Sequence, residues 1–408
     1  MRDRAGCAVA HAHREHWARV LAATVRVTRD IDLAEECAQD AYARAVEAWR
    51  RTGPPERPGS WLVTVARNRA LDLLRRESLW RRALPLLVVD DVPAEEPDAV
   101  PDDRLRLVFT CCHPALDRRT QVELTLRLVC GLSTAEVARV LLVRETAMTA
   151  RITRAKKKIA AARIPYRVPA AEDLPARLDA VCEVVHLVFT AGHTAPAGDG
   201  LIRADLVDRA VGLARMLREL LPGPQVDALL ALLLLTDARR AGRVRDGRFV
   251  PLAEQDRSGW DRAAIAEGVD LLTAALRGHP PSRYAVQAAI AAVHAESPSW
   301  ADTDWEEIVA LYDLLRRLWP GPVVDLNRAV ALGMRDGPEA GLAALEPLLD
   351  EPCLAGYGYL AAARADLLRR SGRTAEALTC YEEALPLTAN AAERDHLTSL
   401  IARLRAGP

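Results

Sequence analysis

Two short helical patterns joined by a tight turn occupy residues 131–159 and constrain the fold more than any other segment. Ser133 and Glu136 have the spacing of a capping box, so a helix is predicted to begin at Thr134. A second helix is predicted over Arg144–Ile159, because its apolar residues recur at helical spacing. Those residues are Met148, Ile152, Ala155 and Ile159. This layout is that of a helix-turn-helix.

All three lysines of the chain lie at the end of that second helix, and every other basic residue is an arginine. In a helix-turn-helix the first residues of the second helix meet base edges, and later cations meet phosphates. The residues predicted to read bases are Glu145, Thr146, Ala147, Thr149 and Arg151. Those predicted to contact phosphates are Arg154, Lys156, Lys157 and Lys158. A solvated amphipathic helix within a helical bundle is the alternative that this segment alone leaves open.

The chain has 408 residues, which is too many for one ordinary core, so two or three domains are expected. Half of the residues are hydrophobic and only 4% are aromatic, which predicts an all-α protein rich in alanine, leucine and arginine. The net charge of −1 conceals a split, because residues 1–169 carry +8 and residues 170–408 carry −9. A basic first part followed by an acidic second part indicates that the first part faces nucleic acid.

The eight cysteines argue against a disulfide framework and against a metal centre. No pair has Cys-x-x-Cys spacing, and the adjacent Cys111 and Cys112 would chelate one tetrahedral ion poorly. We therefore expect free thiols, no metal and no cofactor. No apolar run is long enough to span a membrane, and the N-terminal residues are too polar for a signal peptide. These features predict a cytoplasmic protein without a membrane partner.

Two more helices, separated by a loop rich in proline and glycine, are predicted upstream. The first begins at Asp32, with Glu35 in a capping box, and its alanines share one face with Trp49. The loop covers Arg51–Ser60, and the second helix covers Trp61–Glu77.

These two helices and their loop resemble region 2 of the extracytoplasmic-function sigma factors, and residues 131–159 resemble region 4.2 of the same family. The order and the spacing of the two segments match the family. The resemblance implies two small helical sigma domains and a function in promoter-specific initiation with core RNA polymerase, without catalytic residues. The implied domains are residues 1–80 for region 2, residues 81–103 for a linker and residues 104–167 for region 4.

The resemblance also implies roles for individual residues. In the family the first helix of region 2 docks on the clamp helices of the polymerase β′ subunit, and region 4 contacts the β flap. The −10 element is read by region 2, with one flipped base held in a pocket. The positions that match the polymerase contacts are Asp32, Glu36, Gln39 and Asp40. Those that match the −10 contacts are Arg67, Asn68, Arg69, Asp72, Arg75 and Arg76, together with the loop Arg51–Ser60. For two positions the sequence leaves a simpler alternative open. Asn68 is then an ordinary exposed helix residue, and Trp61 belongs to the core instead of stacking on a base.

Two features of this chain bear on that resemblance. Many family members have a glycine in the turn where this chain has Leu142, so we expect a slightly different turn and docking angle without loss of the motif. The segment Ala83–Asp103 contains seven acidic residues, four prolines and no basic residue, so it is predicted to be a flexible, extended linker. In the family such a linker threads polymerase channels by mimicking nucleic acid, and its composition fits a solvated spacer equally well.

The acidic second part consists of successive helical patterns. Residues 170–300 are predicted to form a helical domain of unknown function, with a hairpin-like excursion at Arg243–Phe249. After it, Asp256, Arg257, Trp260 and Asp261 fit a pocket or, more simply, a structural turn.

Residues 301–408 resemble tetratricopeptide (TPR-like) helical repeats, most clearly where Gly372 lies at an inter-helix turn. Such repeats expose a concave surface for protein segments, so a protein or peptide partner is expected there. Over almost its whole length the chain resembles a sigma-factor subgroup with this kind of C-terminal extension, the DUF6596 type, in which the extension is thought to control or support activity.

Two other classes of function fit parts of the sequence. A stand-alone DNA-binding regulator with a repeat-type sensor domain would need only the helix-turn-helix, and the two upstream helices would stay unexplained. An enzyme that uses Cys111, Cys112 and His113 would lack a nucleophile-and-base arrangement and a phosphate-binding loop. The sequence therefore favours a sigma factor that is not an enzyme.

Overall fold

The protein is described from a computed structural model, which covers residues 4–83, 103–141, 143–195 and 200–406. The acidic segment 84–102 and Leu142 lie outside these residues, so what the sequence predicts for them stays a prediction. The chain divides into two compact units, with the boundary after Leu187.

The first unit begins with three long helices, and five shorter ones follow within its described residues. They are α1 (Arg4–Thr28), α2 (Ile31–Thr52), α3 (Pro58–Ala83), α4 (Asp103–Cys111), α5 (Arg118–Leu124), α6 (Thr134–Val140), α7 (Glu145–Ala161) and α8 (Leu174–His193), which continues past the boundary. A π-helical segment, Thr125–Val129, follows α5.

Helices α1, α2 and α3 pack against one another as a bundle. The apolar face predicted for α2 is confirmed, because every residue of it is buried. Those residues are Ala34, Ala38, Ala41, Ala45 and Trp49. Small side chains on this face allow the neighbouring helices to approach closely. Glu36 and Gln39 lie on the exposed side of α2.

Helices α2 and α3 both begin earlier than the sequence predicts. Asp30 caps α2, because its backbone is extended and its carboxylate accepts a hydrogen bond from the Leu33 amide at 3.0 Å. The capping role predicted for Glu35 is wrong, since its carboxylate is buried against two cations of later elements. Helix α3 begins at Pro58, whose missing amide proton suits a first helical turn. The predicted loop is therefore shorter than Arg51–Ser60.

The predicted helix-turn-helix is formed by α6 and α7, which pack against each other. The capping box is confirmed, with the Glu136 amide donating to Ser133 Oγ at 3.2 Å and the Ser133 amide donating to Glu136 Oε2 at 2.7 Å. The apolar residues predicted for the inner face of α7 are all buried. They are Met148, Ile152, Ala155 and Ile159.

The second unit is helical apart from one hairpin in its described residues. Its helices after α8 are α9 (Ala204–Leu220), α10 (Pro224–Asp237), α11 (Arg262–Leu276), α12 (Arg283–Glu296), α13 (Trp305–Leu318), α14 (Pro322–Arg335), α15 (Pro338–Leu345), α16 (Gly358–Arg370), α17 (Thr374–Leu387) and α18 (Ala391–Ala406). The predicted hairpin is confirmed as antiparallel β1 (Val244–Arg245) and β2 (Arg248–Phe249). None of the described helices has the length and apolarity needed to cross a membrane.

Consecutive helices from α13 to α18 pack against their sequence neighbours around small apolar clusters. Gly372 lies in the turn between α16 and α17 with a φ of 79°, as its predicted turn position requires. Gly333 and Gly341 bring α14 and α15 together, because a Cβ on Gly341 would lie 2.9 Å from the Gly333 Cα. The prediction that these helices are tetratricopeptide repeats remains a prediction.

The segment between the hairpin and α11 is a structural turn. Asp256 accepts a hydrogen bond from the Ser258 amide, and Asp261 caps α11 by accepting from two amides. Arg257 is buried and donates to the carbonyl oxygens of His294, at 2.9 Å, and Ser297, at 2.6 Å. The two aspartates stabilise local backbone, and Arg257 ties the turn to the end of α12. These roles favour the structural turn over the pocket, the two alternatives that the sequence leaves open.

Candidate nucleic-acid interface

Helix α7 has one buried face and one solvent-facing side, which contains the residues predicted to contact DNA. Exposed positions among them are Glu145, Thr146, Thr149, Arg154, Lys157 and Lys158. Half-buried positions are Ala147, Arg151 and Lys156. The predicted DNA contacts of α7 thus divide into an exposed set and a half-buried set, and in the second set Arg151 and Lys156 form ion pairs within the protein.

Arg151 is engaged with Glu123 of α5. Its Nη1 lies 3.0 Å from Glu123 Oε1, and Arg119 lies 3.3 Å from the same oxygen. The Glu123 side chain is only 3% exposed, and burial raises the pKa of its carboxyl although both arginines oppose the shift. This ion pair anchors the middle of α7 to α5, so the Arg151 guanidinium is held beside the exposed face.

The residues predicted to contact the −10 element lie on α3 and are mostly exposed. The exposed ones are Arg67, Asn68, Asp72, Arg75 and Arg76. Arg69 is half-buried and donates to Asp40 Oδ2 of α2 at 2.9 Å. Trp61 is half-buried, with its ring 5.8 Å from the Trp49 ring between centroids.

The residues predicted to contact polymerase lie along the outer side of α2. Glu36 and Gln39 are exposed, and Asp40 is half-buried because it pairs with Arg69. Asp32 is exposed, and its Oδ1 accepts a hydrogen bond from Lys156 Nζ at 2.7 Å. One predicted polymerase contact therefore bonds to one predicted DNA contact.

Glu35 is a functional candidate that the sequence did not reveal. Its side chain is 6% exposed and forms ion pairs with Arg127 Nη2, at 2.6 Å, and with Lys156 Nζ. A glutamate near the start of a helix has the pattern of a cap, and nothing local in the sequence points to two cations more than ninety residues away. Glu35 joins α2 to both the π-helical segment and α7.

Neutral contacts join α1 to residues of the helix-turn-helix part. Trp17 of α1 donates from Nε1 to the Leu128 carbonyl at 3.0 Å. Gly131 adopts a φ of 70°, and a Cβ there would lie 2.7 Å from the Trp17 ring. Tyr166 donates to the Ala22 carbonyl at 2.9 Å, and burial raises the pKa of its hydroxyl. The three-helix bundle and the helix-turn-helix part thus pack together within the first unit.

The cysteine pair considered above lies inside the protein. Cys111 and Cys112 are fully buried, and the Cys112 sulfur lies 3.6 Å from Thr125 Oγ1. Burial raises the pKa of the Cys111 thiol, and it raises that of Cys112 to about 11. Both are therefore protonated near neutral pH and poor nucleophiles. Among the described residues, no group of three or more potential metal ligands occurs.

Three families match parts of the chain. Sigma-70 region 2 matches residues 13–79, Sigma-70 region 4 matches residues 106–159, and a family of unknown function, DUF6596, matches residues 177–276. An uncharacterized protein of Rhizobium meliloti (strain 1021) is 44% identical over 401 residues, which cover 96% of this chain and 94% of that protein. No solved structure matches the chain.

The matched segments coincide with the two parts built above. Region 2 covers most of the α1–α3 bundle, and region 4 covers α4 to most of α7. A chain with these two regions is a sigma factor, whose partners are core RNA polymerase and promoter DNA and which directs promoter-specific transcription. The chain therefore belongs to the sigma-70 family and carries a C-terminal domain of the DUF6596 type.

Proposed function

We propose that the chain is an extracytoplasmic-function sigma factor in which α7 reads the −35 element, α3 and its preceding loop read and open the −10 element, and α2 binds polymerase. The observation that carries this proposal is the division of α7 into a buried apolar face and an exposed face of cations and short polar side chains. That division frees one side of the helix for a DNA groove.

The −35 contacts follow from positions along α7. Glu145, Thr146 and Thr149 are exposed at its N-terminal end, where side chains reach base edges when such a helix enters the major groove. Arg154, Lys157 and Lys158 come later and are exposed, which suits neutralisation of phosphates. Arg151 is held by Glu123 close to this face, which favours a positioned contact for it over a mobile one.

The −10 contacts follow from α3. Asn68 is exposed, and its amide offers both a donor and an acceptor to the edge of an unstacked base. Arg67, Arg75 and Arg76 are exposed on the same helix and would neutralise the phosphates of the opened strand. Arg69 is tied to Asp40, so we propose that it positions α3 against α2.

Polymerase binding is proposed for the outer side of α2. Its inner face is buried in the bundle, so Asp32, Glu36 and Gln39 are among the polar groups that it offers to a partner. For the second unit we propose a regulatory or partner-binding role. The successive packing of α13 to α18 and the turn at Gly372 support a repeat array of tetratricopeptide type.

The first test is co-elution of the full chain with bacterial core RNA polymerase, followed by transcription from a library of random promoters and sequencing of the RNA 5′ ends. Glu36→Lys is expected to weaken co-elution, because it reverses a charge on the proposed docking side. Glu47→Lys, also exposed on α2, is the matched control and should co-elute normally.

The same library separates the two DNA contacts. Thr149→Ala should change base preference only in the upstream element, and Asn68→Ala should reduce strand opening at the downstream element while duplex binding persists. Sequence-selective DNA binding by the chain without any association with polymerase would overturn the proposal in favour of a stand-alone regulator.

A further inference from the structure

We propose that region 2 and region 4 hold each other in a closed form through an ion-pair latch of Asp32, Glu35, Arg127 and Lys156, and that this latch opens when the chain engages polymerase and promoter DNA. The inference rests on the proposed function, because Asp32 is a proposed polymerase contact and Lys156 is predicted from the sequence to contact a phosphate.

The buried part of the latch is centred on Glu35. Its carboxylate belongs to α2 of region 2, whereas Arg127 and Lys156 belong to the π-helical segment and to α7 of region 4. A buried carboxylate is tolerated when cations face it, and it is strongly disfavoured when they are removed. As long as the regions remain packed, both cations are needed where they are.

The exposed part of the latch is the pair between Asp32 and Lys156. The Asp32 side chain is 72% exposed, whereas that of Lys156 is only 12% exposed. An ion pair with one solvated partner is weak and screened by salt, so an incoming charged surface can compete for it. An incoming charged surface can therefore displace the Asp32–Lys156 pair first, while Glu35 stays buried.

Closure and binding make incompatible demands on these side chains. Lys156 Nζ bonds to both Asp32 and Glu35, so its ammonium group is turned toward two carboxylates instead of a phosphate. Asp32 in turn faces Lys156 and is not free for polymerase. Lys157 and Lys158, the next two residues, are exposed. The closed form thus offers DNA only two of the three lysines.

The neutral contacts around the latch make its opening a switch between two arrangements. The Trp17 indole bonds to the Leu128 carbonyl, its ring lies against Gly131, and the Arg127 guanidinium lies 5.9 Å from the ring centroid. Arg127 thereby takes part in both the ion pair and the aromatic packing. Separation of the regions has to break these contacts together, which favours two discrete states over a gradual loosening.

The test measures energy transfer between dyes on the two regions of the full chain. Cys7 on α1 is exposed, and Arg139→Cys places a second exposed thiol on α6. Cys353→Ser removes the other exposed native thiol, and the remaining six cysteines are buried. We expect high transfer for the free chain and a fall in transfer when core polymerase is added.

Glu35→Gln removes the buried charge but keeps the shape of the side chain. We expect lower transfer without polymerase and tighter binding of the free chain to promoter duplex, on the order of tenfold. Glu47→Gln makes the same charge change at an exposed position of α2 and should behave like the native chain. Circular dichroism and thermal melting identify a variant that fails to fold, and Arg127→Gln then replaces Glu35→Gln with the same expectation.

Unchanged transfer and unchanged DNA affinity in a folded Glu35→Gln or Arg127→Gln protein would overturn the latch. So would native transfer that stays high in a polymerase complex active in transcription. Failure of the native chain to bind polymerase or to initiate transcription would instead contradict the proposed function, because that assay does not depend on either variant.

Discussion

The two units contain buried or half-buried cations that face different kinds of partner. In the first unit, Arg127, Arg151 and Lys156 face buried carboxylates of other helices. In the second unit, Arg243 donates to the carbonyl of His193, and Arg257 donates to the carbonyls of two residues near the end of α12.

That difference separates exchangeable contacts from permanent ones. A carboxylate that faces a cation can be replaced by a phosphate or by another charged surface, since all are anions that bind the same group. An arginine buried against backbone carbonyls supplies hydrogen bonds where water is excluded, so its removal leaves buried acceptors short of a donor and destabilises the fold. We infer that Arg127, Arg151 and Lys156 are suited to binding, whereas Arg243 and Arg257 serve stability.

The largest effect is expected for Arg257→Met. This variant leaves the His294 and Ser297 carbonyl oxygens without their buried donor, and we expect a loss of about 3 kcal/mol in the free energy of unfolding. Denaturant unfolding followed by circular dichroism measures it. Arg245→Met, at an exposed hairpin position, is the control and should cost less than about 0.5 kcal/mol. Equal losses for the two variants would contradict a stabilising role for the buried arginine.

A loss of similar size is expected on acidification. Burial lowers the pKa of His294 from 6.5 to about 4, and that of His193 to about 2, so both imidazoles stay neutral in the folded protein. The unfolded chain binds these protons near pH 6.5, so stability falls as the pH decreases below that value. For His294 the loss is complete near pH 4 and amounts to about 3 kcal/mol. Unfolding of the native chain and of His294→Gln at pH 7.5 and 4.5 tests this, and an equal pH dependence in both would contradict it.

A smaller effect is expected for Trp17→Phe, which removes the hydrogen bond to the Leu128 carbonyl. Trp49→Phe is its matched control, because Trp49 Nε1 is buried without a hydrogen-bond partner among the described residues. Both variants lose similar ring volume, so the difference between their unfolding free energies isolates the hydrogen bond, at about 1 kcal/mol. No difference would mean that this bond contributes nothing to the joining of the two regions.

The smallest effect is expected in the salt dependence of DNA binding by the free chain. Lys157→Ala should flatten the slope of log affinity against log salt by about 1 unit, because an exposed lysine neutralises one phosphate. Lys156→Ala should leave that slope nearly unchanged, since Lys156 is bonded to carboxylates. Fluorescence anisotropy with a promoter duplex measures both slopes, and equal flattening would place Lys156 on phosphate in the free chain.

Periodic features of this protein could be predicted from its sequence. The buried face of α7 and the alanine face of α2 follow from helical spacing, and the Ser133–Glu136 box and the hairpin follow from local residue types. These features depend on residues within a few positions of one another. The DNA and polymerase roles of individual residues rest on the family resemblance and stay predictions.

Features that depend on distant partners were missed. The cap of α2 was also missed, although its partner is local: the sequence predicts a start at Asp32, whereas Asp30 has the extended backbone and accepts from the Leu33 amide. Glu35 has the spacing of a capping box, but burial against Arg127 and Lys156 determines what its carboxylate does. The wider turn at Thr125–Val129 has no local signature, and it places the Leu128 carbonyl within reach of Trp17.

The concentration of lysines on α7 gives this protein a built-in chemical reporter. A reagent that acylates primary amines has only three side-chain targets in the whole chain, and they are consecutive. Lys157 and Lys158 are open to it, whereas Lys156 is shielded by its carboxylates. The ratio of labelling at these neighbouring positions, read by mass spectrometry, would therefore follow the conformation of the first unit without any engineered probe.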